Sequence, residues 1–154
     1  MVIHEGEGAF HQPRFDRIVM PPFAAFHSSH FYYATLFHEL VHWTGAASRL
    51  NRDLSHRFGD RRIAVEELIA ELGASFVCAE FGVDNVAEGA TYVESFITLL
   101  EGHETVLVGA ASAASRAVEY LRELVLAEAT APQPTAAARA GARNENVSFA
   151  AGPA

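Results

Sequence analysis

The stretch that decides the fold runs from residue 31 to residue 45 and reads Phe31-Tyr32-Tyr33-Ala34-Thr35-Leu36-Phe37-His38-Glu39-Leu40-Val41-His42-Trp43-Thr44-Gly45. It contains the pattern His-Glu-x-x-His in a segment that predicts a helix. The four-residue spacing places His38 and His42 one turn apart on the same helical face, where both imidazoles can reach one metal ion. Glu39 is rotated by about 100° from His38, so it flanks the metal, where a general base is needed. The stretch therefore predicts a metal site with two histidine ligands and Glu39 as the catalytic residue.

Residues around this stretch set the limits of two predicted helices. Ser28 or Ser29 can cap the start of the first helix, and Gly45 can end it. An amphipathic core helix with two ordinary histidines is the alternative interpretation of the same pattern. A second helix is predicted from residue 61 to residue 81, with Asp60 as its N-cap and Gly82 just past its end.

The second helix offers a third ligand for the metal. Glu67 and Glu71 lie one turn apart on one face, next to the small residues Ala64 and Ala74. A carboxylate that projects from this face towards the first helix would complete a His-His-Glu set and leave one metal position open for water. Glu71 is the preferred ligand, because the small residues that follow it predict close-packed surroundings.

Spacing alone leaves other assignments open. With Glu71 as ligand, Glu67 is expected to accept an N–H from a histidine ligand or to orient the site. The alternatives for the third ligand are Glu67 itself, a water, Asp60 or another histidine. Glu66 is predicted to be an ordinary glutamate of the helix surface. The remaining histidines have no partner at ligand spacing and are predicted to be structural, capping or solvent-facing: His4, His11, His27, His30, His56 and His103.

The rest of the chain is predicted to be scaffold. Residues 1–8 predict a flexible lead or a partial strand, and residues 9–20 predict a β-hairpin or two short strands that Pro21 and Pro22 end. An edge strand beside a metal can pair with an extended peptide. Further helices are predicted from residue 86 or 88 to 101 and from 104 to 127. Residues 1–128 would form one domain, and the Ala/Pro-rich residues 129–154 a disordered tail.

Composition limits the class of protein. The chain has 154 residues, of which 50% are hydrophobic, so it can bury a single core. Its formal net charge is −8, and an acidic chain is a poor non-specific binder of nucleic acid. No apolar run is long enough to span a bilayer, and the N-terminus lacks the pattern of a secretory signal. The lone cysteine, Cys78, is predicted to be a small core residue in a protein of the reducing cytoplasm.

Arginines are concentrated in one part of the chain. All 11 basic residues are arginines, and five of them crowd the stretch from residue 49 to residue 62: Arg49, Arg52, Arg57, Arg61 and Arg62. The preferred interpretation is a solvated, salt-bridged loop. A contact with a phosphate or an acidic partner is the alternative.

Several blocks of the sequence, in the same order, resemble one protein family. The blocks are Asp16-Arg17-Ile18-Val19-Met20-Pro21-Pro22, residues 32–45, Ser48-Arg49-Leu50-Asn51-Arg52, Glu66-Glu67-Leu68-Ile69-Ala70-Glu71-Leu72-Gly73-Ala74 and Ala110-Ala111-Ser112-Ala113-Ala114. The family is the zincin-like metallopeptidase domain of ArdC-type antirestriction proteins, also found in phage and plasmid polyvalent proteins. The resemblance covers roughly Gly8 to Leu126. It implies an α+β, mainly helical zincin-like fold with a small N-terminal β-sheet or hairpin. It also implies zinc held by His38, His42 and Glu71, with Glu39 catalytic.

Motif and resemblance together predict a zinc-dependent metallopeptidase in a mobile-element antirestriction or anti-defence context. Zinc would activate a water, Glu39 would take its proton, and the substrate would be a protein or peptide. The alternatives are a non-catalytic, zinc-containing binding module that protects DNA or blocks a host nuclease, and a structural helical domain that binds no metal.

The resemblance also bears on partners. Members of the family usually carry an N-terminal domain that binds single-stranded DNA, whereas this chain begins almost at the peptidase boundary. Direct DNA binding by this chain alone is therefore not expected, and would need a separate or missing DNA-binding domain. No membrane partner is expected.

Overall fold

The computed structural model describes residues 1–52, 54, 61–83 and 104–130. Its elements are the strands β1 (Val2–His4), β2 (Phe10–Gln12) and β3 (Arg17–Met20), and the helices α1 (Ser29–Thr44), α2 (Arg61–Phe81) and α3 (Glu104–Thr130). Short 3-10 helices occur at Pro13–Phe15 and Phe23–Ala25. The protein is mainly helical with a small N-terminal sheet, which confirms the expected fold class. The predicted cap at Asp60 and the predicted helix that ends at residue 101 lie outside the described residues.

The three strands form one sheet in the order β1-β3-β2. β2 and β3 are antiparallel, with His11 opposite Ile18, and confirm the predicted hairpin. β1 runs parallel to β3, so the predicted lead or partial strand is a regular member of the sheet. In β3, the central strand, Ile18, Val19 and Met20 are each at most 2% exposed. A strand that is buried on both faces anchors the sheet in the core.

The first helix begins and ends where the sequence predicts. The Ser28 hydroxyl accepts a hydrogen bond from the backbone N–H of Phe31 at 3.3 Å, which satisfies one of the free donors at the helix start. At the other end, the backbone N–H of Gly45 donates to the carbonyl of His42 at 2.9 Å. Both histidines of the motif therefore lie within α1, on one face.

A glycine lets α2 approach α1 closely. A Cβ built on Gly73 of α2 would lie 2.7 Å from Cγ2 of Val41 in α1, closer than ordinary van der Waals contact. Val41 is fully buried and shares a core cluster with Leu68 and Ala70 of α2. This approach brings the glutamates of α2 within reach of the histidines of α1.

α3 completes the core with alanines. Ala110, Ala114 and Ala117 are at most 1% exposed and belong to the cluster around Val41. Cys78 of α2 is also buried, with 1% of its surface exposed, as the sequence predicts. Every helix among the described residues is too short or too polar to span a bilayer.

Backbone contacts divide the chain into two compact units, Met1–Arg122 and Glu123–Ala154. The first unit contains all of the candidate site residues. In the second, the structure describes residues 123–130, the last turns of α3, whose side chains are exposed. The proposed domain 1–128 and tail 129–154 stay predictions, since the residues beyond 130 lie outside the described part of the chain.

Candidate metal centre

The two histidines of the motif direct their Nε2 atoms at one another from successive turns of α1. The Nε2 atoms of His38 and His42 are 3.1 Å apart, and the ring centroids are 4.7 Å apart. Both side chains are largely buried, with exposed fractions of 18% and 15%. The four-residue spacing produces this convergence, because residues i and i+4 are neighbours on one helical face.

Glu67 of α2 lies at the same point. One carboxylate oxygen of Glu67 is 3.5 Å from Nε2 of His38, and the other is 3.4 Å from Nε2 of His42. Among the described residues, the group whose ligand atoms all lie within 4.8 Å of one another consists of His38, His42 and Glu67. A tetrahedral zinc ion with bonds of about 2.05 Å has neighbouring ligand atoms about 3.3 Å apart. The two Nε2 atoms are 3.1 Å apart, and each has one oxygen of Glu67 within 3.5 Å, so the group is compact enough to hold one such ion.

Glu71 contacts the other nitrogen of the His38 ring. Its Oε1 lies 3.3 Å from Nδ1 of His38. A carboxylate at this position accepts the Nδ1–H, and so fixes the tautomer in which Nε2 can bind a metal. The structure thus brings Glu71 into the site, at a place suited to orienting a histidine. Its assignment as the third ligand stays a prediction.

Glu66 stands in the same relation to His42. Its Oε1 lies 3.2 Å from Nδ1 of His42. Glu66 is 8% exposed, so the prediction of a glutamate on the helix surface is wrong. The reason is Arg52, whose Nε and Nη2 atoms donate to the two carboxylate oxygens at 3.0 and 2.8 Å. A two-point ion pair of this kind offsets the cost of burying both charges.

The arginine cluster is likewise less solvated than predicted. The side chain of Arg52 is 12% exposed and that of Arg49 is 7% exposed. The Arg49 guanidinium lies 3.8 Å from the centre of the Trp43 ring, a cation–π contact. For these two residues the predicted salt bridges are present, to Asp16 and to Glu66, but the prediction that their side chains are solvated is wrong. The side chains of the other three, Arg57, Arg61 and Arg62, lie outside the described part of the chain.

Burial and ion pairs together set the charges of the site. Burial disfavours the charged form of His38, but hydrogen bonds to Glu67 and Glu71 outweigh it and raise the pKa of His38 to about 10. The pKa of His42 is raised too, against burial, by Glu66 and Glu67. Burial opposes ionisation of Glu67, yet hydrogen bonds from both histidines hold its pKa far below the usual range. A metal ion that binds here must displace protons from the imidazoles.

Glu39, the predicted catalytic residue, flanks the histidines and is 7% exposed. Burial raises its pKa, and the charges of His42 and His38 and a hydrogen bond from the backbone N–H of His11 oppose that rise. A carboxylate with a raised pKa beside a metal site is suited to accepting and returning a proton.

A cavity of about 420 Å³ opens over these groups, a size typical of ligand sites. Its walls come from α1, α2 and the β2 strand, and the residues are Ala9, Phe10, His11, Pro13, His38, Glu39, His42, Leu54, Ile63, Glu66 and Glu67. His11, which the sequence predicts to be structural or solvent-facing, thus lies beside the motif. The spacing of residues carries no information on which strand packs beside which helix.

Comparison with known proteins agrees with this architecture. The model of a family described as zincin-like metallopeptidase matches residues 1–113. A DNA primase TraC of Escherichia coli is 43% identical over 117 residues, which are 75% of this chain and 8% of that protein. The protein y4eC of Sinorhizobium fredii is 37% identical over 120 residues, 77% of this chain and 39% of the relative.

Solved structures of the antirestriction protein ArdC from plasmid R388 are also similar. The Mn(II)-bound structure has a TM-score of 0.62 and 39% sequence identity, covering 79% of this chain and 46% of ArdC. The metal-free structure has a TM-score of 0.63 and 42% identity, covering 79% and 44%. This chain thus spans less than half the length of each of these relatives. It belongs to the zincin-like metallopeptidase family.

Proposed function

We propose that this domain is a zinc-dependent peptidase in which His38, His42 and Glu67 hold the metal and Glu39 transfers protons. The observation that carries the proposal is the convergence of the two Nε2 atoms of His38 and His42 and the carboxylate of Glu67, at 3.1–3.5 Å, beside the buried carboxylate of Glu39. Catalytic zinc sites have three protein ligands of this kind and keep one position open.

Zinc is the metal that the donor set favours. Two imidazoles and one carboxylate at tetrahedral spacing suit zinc, and sites of this type bind zinc more tightly than manganese. The Mn(II)-bound ArdC structure supports a site that accepts divalent ions. The opposite assignment, with Glu71 as ligand and Glu67 as the orienting group, is the alternative. It is disfavoured because Glu71 contacts Nδ1 of His38 and Glu67 contacts Nε2 of both histidines.

The protein groups would act in a simple order. Bound zinc would lower the pKa of a water and polarise the carbonyl of a peptide bond. Glu39 accepts a proton from the water while the oxygen of that water attacks the carbonyl carbon. Glu39 then gives this proton to the nitrogen that leaves as an amine. Burial raises the pKa of Glu39 above that of an exposed glutamate, which makes its carboxylate a stronger proton acceptor for the first transfer.

The substrate is a protein or peptide in an extended conformation. β2 stands at one edge of the described sheet, and its residues Phe10 and His11 line the cavity. An edge strand in this position can pair with an extended peptide and hold one bond over the metal.

The relatives suggest the biological setting. ArdC is described as an antirestriction protein and TraC as a DNA primase. We infer a role for this domain in mobile-element antirestriction in the cytoplasm, with any contact to DNA or to a nuclease made through segments such as those that the longer relatives possess.

Replacement of Glu39 by Gln tests the peptidase. This change keeps the shape of the side chain and removes the proton acceptor, so peptide cleavage should fall by about 100-fold or more. Cleavage products in cells that express wild-type or Glu39→Gln protein can be compared by proteomics, with zinc content as the control. If the variant cleaves as well as wild type while it holds zinc, the proposed mechanism is wrong.

A non-catalytic binding module is the second candidate, favoured by the antirestriction description of ArdC. Protection of DNA from restriction would then survive Glu39→Gln. It would be lost when His38 and His42 are both replaced and the metal is absent. The same pair of variants therefore separates the two functions.

A further inference from the structure

Arg52 joins the end of α1 to α2. Its Nη1 donates to Oγ1 of Thr44 at 2.9 Å, and its Nη2 donates to the backbone carbonyl of Val41 at 2.7 Å. The same guanidinium makes the two-point ion pair with Glu66. The guanidinium has five N–H donors, and it thus makes four hydrogen bonds to three residues on two helices.

The guanidinium of Arg52 also lies close to the backbone of Gly45. A Cβ built on Gly45 would lie 2.8 Å from Nη2 of Arg52 and 3.0 Å from its Cζ. The guanidinium therefore packs directly on the backbone at the end of α1. The backbone N–H of Arg52 also donates to the carbonyl of Gly45 at 2.9 Å, which fixes the start of the side chain.

Glu66 carries this constraint to the metal site. Its Oε1 lies 2.8 Å from Nη2 of Arg52 and 3.2 Å from Nδ1 of His42. When Nδ1 of His42 donates to this oxygen, the ring is held in the tautomer whose Nε2 faces His38 and Glu67.

We propose that Arg52 is a positioning residue of the metal site, and that it keeps Nε2 of His42 directed at the metal by holding Glu66 against Nδ1. Without the guanidinium, the Glu66 carboxylate would be a buried anion lacking its cation. It would turn towards water or take up a proton, and in either case His42 would lose the acceptor that orients it. The inference rests on the metal site of the proposed function and not on peptide cleavage.

A double-mutant cycle of Arg52→Met and Glu66→Met, of which the second removes the acceptor for Nδ1 of His42, tests the proposal on the full chain. Each single variant should weaken zinc binding by roughly 10- to 100-fold, measured by competition with a chelator. The zinc affinity of the double variant should equal that of the more damaged single variant, because both changes break the same chain of contacts. Arg116→Met, at an exposed arginine of α3, is the matched control and should leave zinc affinity unchanged.

A second variant and a spectroscopic signal keep the test decisive if Arg52→Met folds poorly. Arg52→Lys keeps the charge but cannot make the two-point contact, so it should also lower zinc affinity. Nitrogen NMR of the zinc-loaded wild-type protein should show a single tautomer of His42, with the proton on Nδ1. In the variants the resonance of that single tautomer should be lost. The proposal is overturned if zinc affinity and the His42 signal stay unchanged while thermal stability falls, or if the two single effects add. A wild-type protein that binds zinc and cleaves nothing would sink the peptidase and leave the role of Arg52 intact.

Discussion

Each imidazole of the motif has two ring nitrogens, and α2 supplies a different carboxylate to each side. Glu67 contacts Nε2 of both His38 and His42, whereas Glu71 and Glu66 contact the Nδ1 atoms. On a helix, residues 67 and 71 share a face, and residue 66 is turned by about 100° from residue 67. The three glutamates therefore reach the two rings from different directions and should not be equivalent in metal binding.

Replacing the glutamates one at a time separates their roles. Glu67→Gln should cause the largest loss of zinc affinity, because it removes a charged oxygen from the metal. Glu71→Gln should cause a smaller loss of roughly 10- to 100-fold, as expected for a group that orients a ligand. Zinc competition titrations measure both, with Glu119→Gln at an exposed site of α3 as the control. If Glu71→Gln is the more damaging change, Glu71 is the ligand and the assignment made here reverses.

At the residue scale, the sequence predicts the relative positions of side chains within one helix, but not those of side chains on different helices. Within α1, spacing alone brings His38 and His42 together and sets Glu39 beside them, as the structure has them. The choice among the glutamates depends on how α2 is rotated against α1, which no spacing within α2 encodes. The sequence predicts Glu66 on the surface, whereas the structure buries it against Arg52, which comes from an irregular connection that no periodicity locates.

At the scale of elements, the site depends on how closely α1 and α2 approach. Gly73→Ala should lower the free energy of unfolding by about 1–2 kcal/mol, since the clash with Val41 outweighs the better helix propensity of alanine. In a Val41→Ala background the clash is absent, and Gly73→Ala should then be neutral or stabilising. Urea denaturation of the four proteins gives both values.

Gly109 provides a matched control for the helix contact. It lies in α3, and a Cβ at this position would meet nothing within 4 Å. Gly109→Ala should therefore stabilise the protein by about 0.5–1 kcal/mol. Equal effects of the two glycine changes would show that propensity and not close packing governs position 73.

Helix ends were predictable because local chemistry sets them. Ser28, Gly45 and Gly82 mark limits that the structure reproduces, and the β2–β3 hairpin follows from a short connection. The parallel pairing of β1 with β3 did not follow from sequence. It joins residues 2–4 to residues 18–20, which are neighbours in the sheet although β2 lies between them in the sequence. No local signal specifies such a contact.

At the scale of the whole molecule, the site joins segments that are distant in the chain. β2 lines the cavity, α1 provides the histidines, α2 provides the carboxylates, and the connection between the helices provides Arg52. A metal that binds ligands from α1 and α2 binds the folded chain and not the unfolded one. Metal binding should therefore stabilise the whole first unit.

Zinc should raise the melting temperature, and more so at higher pH. Zinc at 100 times its Kd adds about 2.7 kcal/mol to the free energy of unfolding. This corresponds to a rise of roughly 5–10 °C in the melting temperature of a domain of this size. His38 has a pKa of about 10 in the metal-free protein, above its unfolded value, so its stabilising contribution is complete below about pH 6.5 and is lost as pH rises through 10. Zinc displaces that proton, and its affinity should increase at least about tenfold per pH unit within this range, and more steeply where His42 is protonated as well.

Calorimetry at pH 6.5, 7.5 and 8.5, with zinc and with a chelator, would measure this linkage. The gap between the two melting temperatures should widen with pH. A gap that stays constant would mean that His38 carries no proton in the metal-free protein. The double replacement of His38 and His42 by alanine should abolish the gap at every pH.

Cys78 gives the chain an internal reporter of its own opening. It is the one cysteine in the sequence, it lies in α2, and 1% of its surface is exposed. A thiol reagent can reach it only when α2 separates from the core, and burial also raises the pKa of the thiol, so the closed form reacts slowly. Labelling kinetics at this single sulfur would thus follow the transient opening of the helix that carries the metal-binding carboxylates, with no engineered probe.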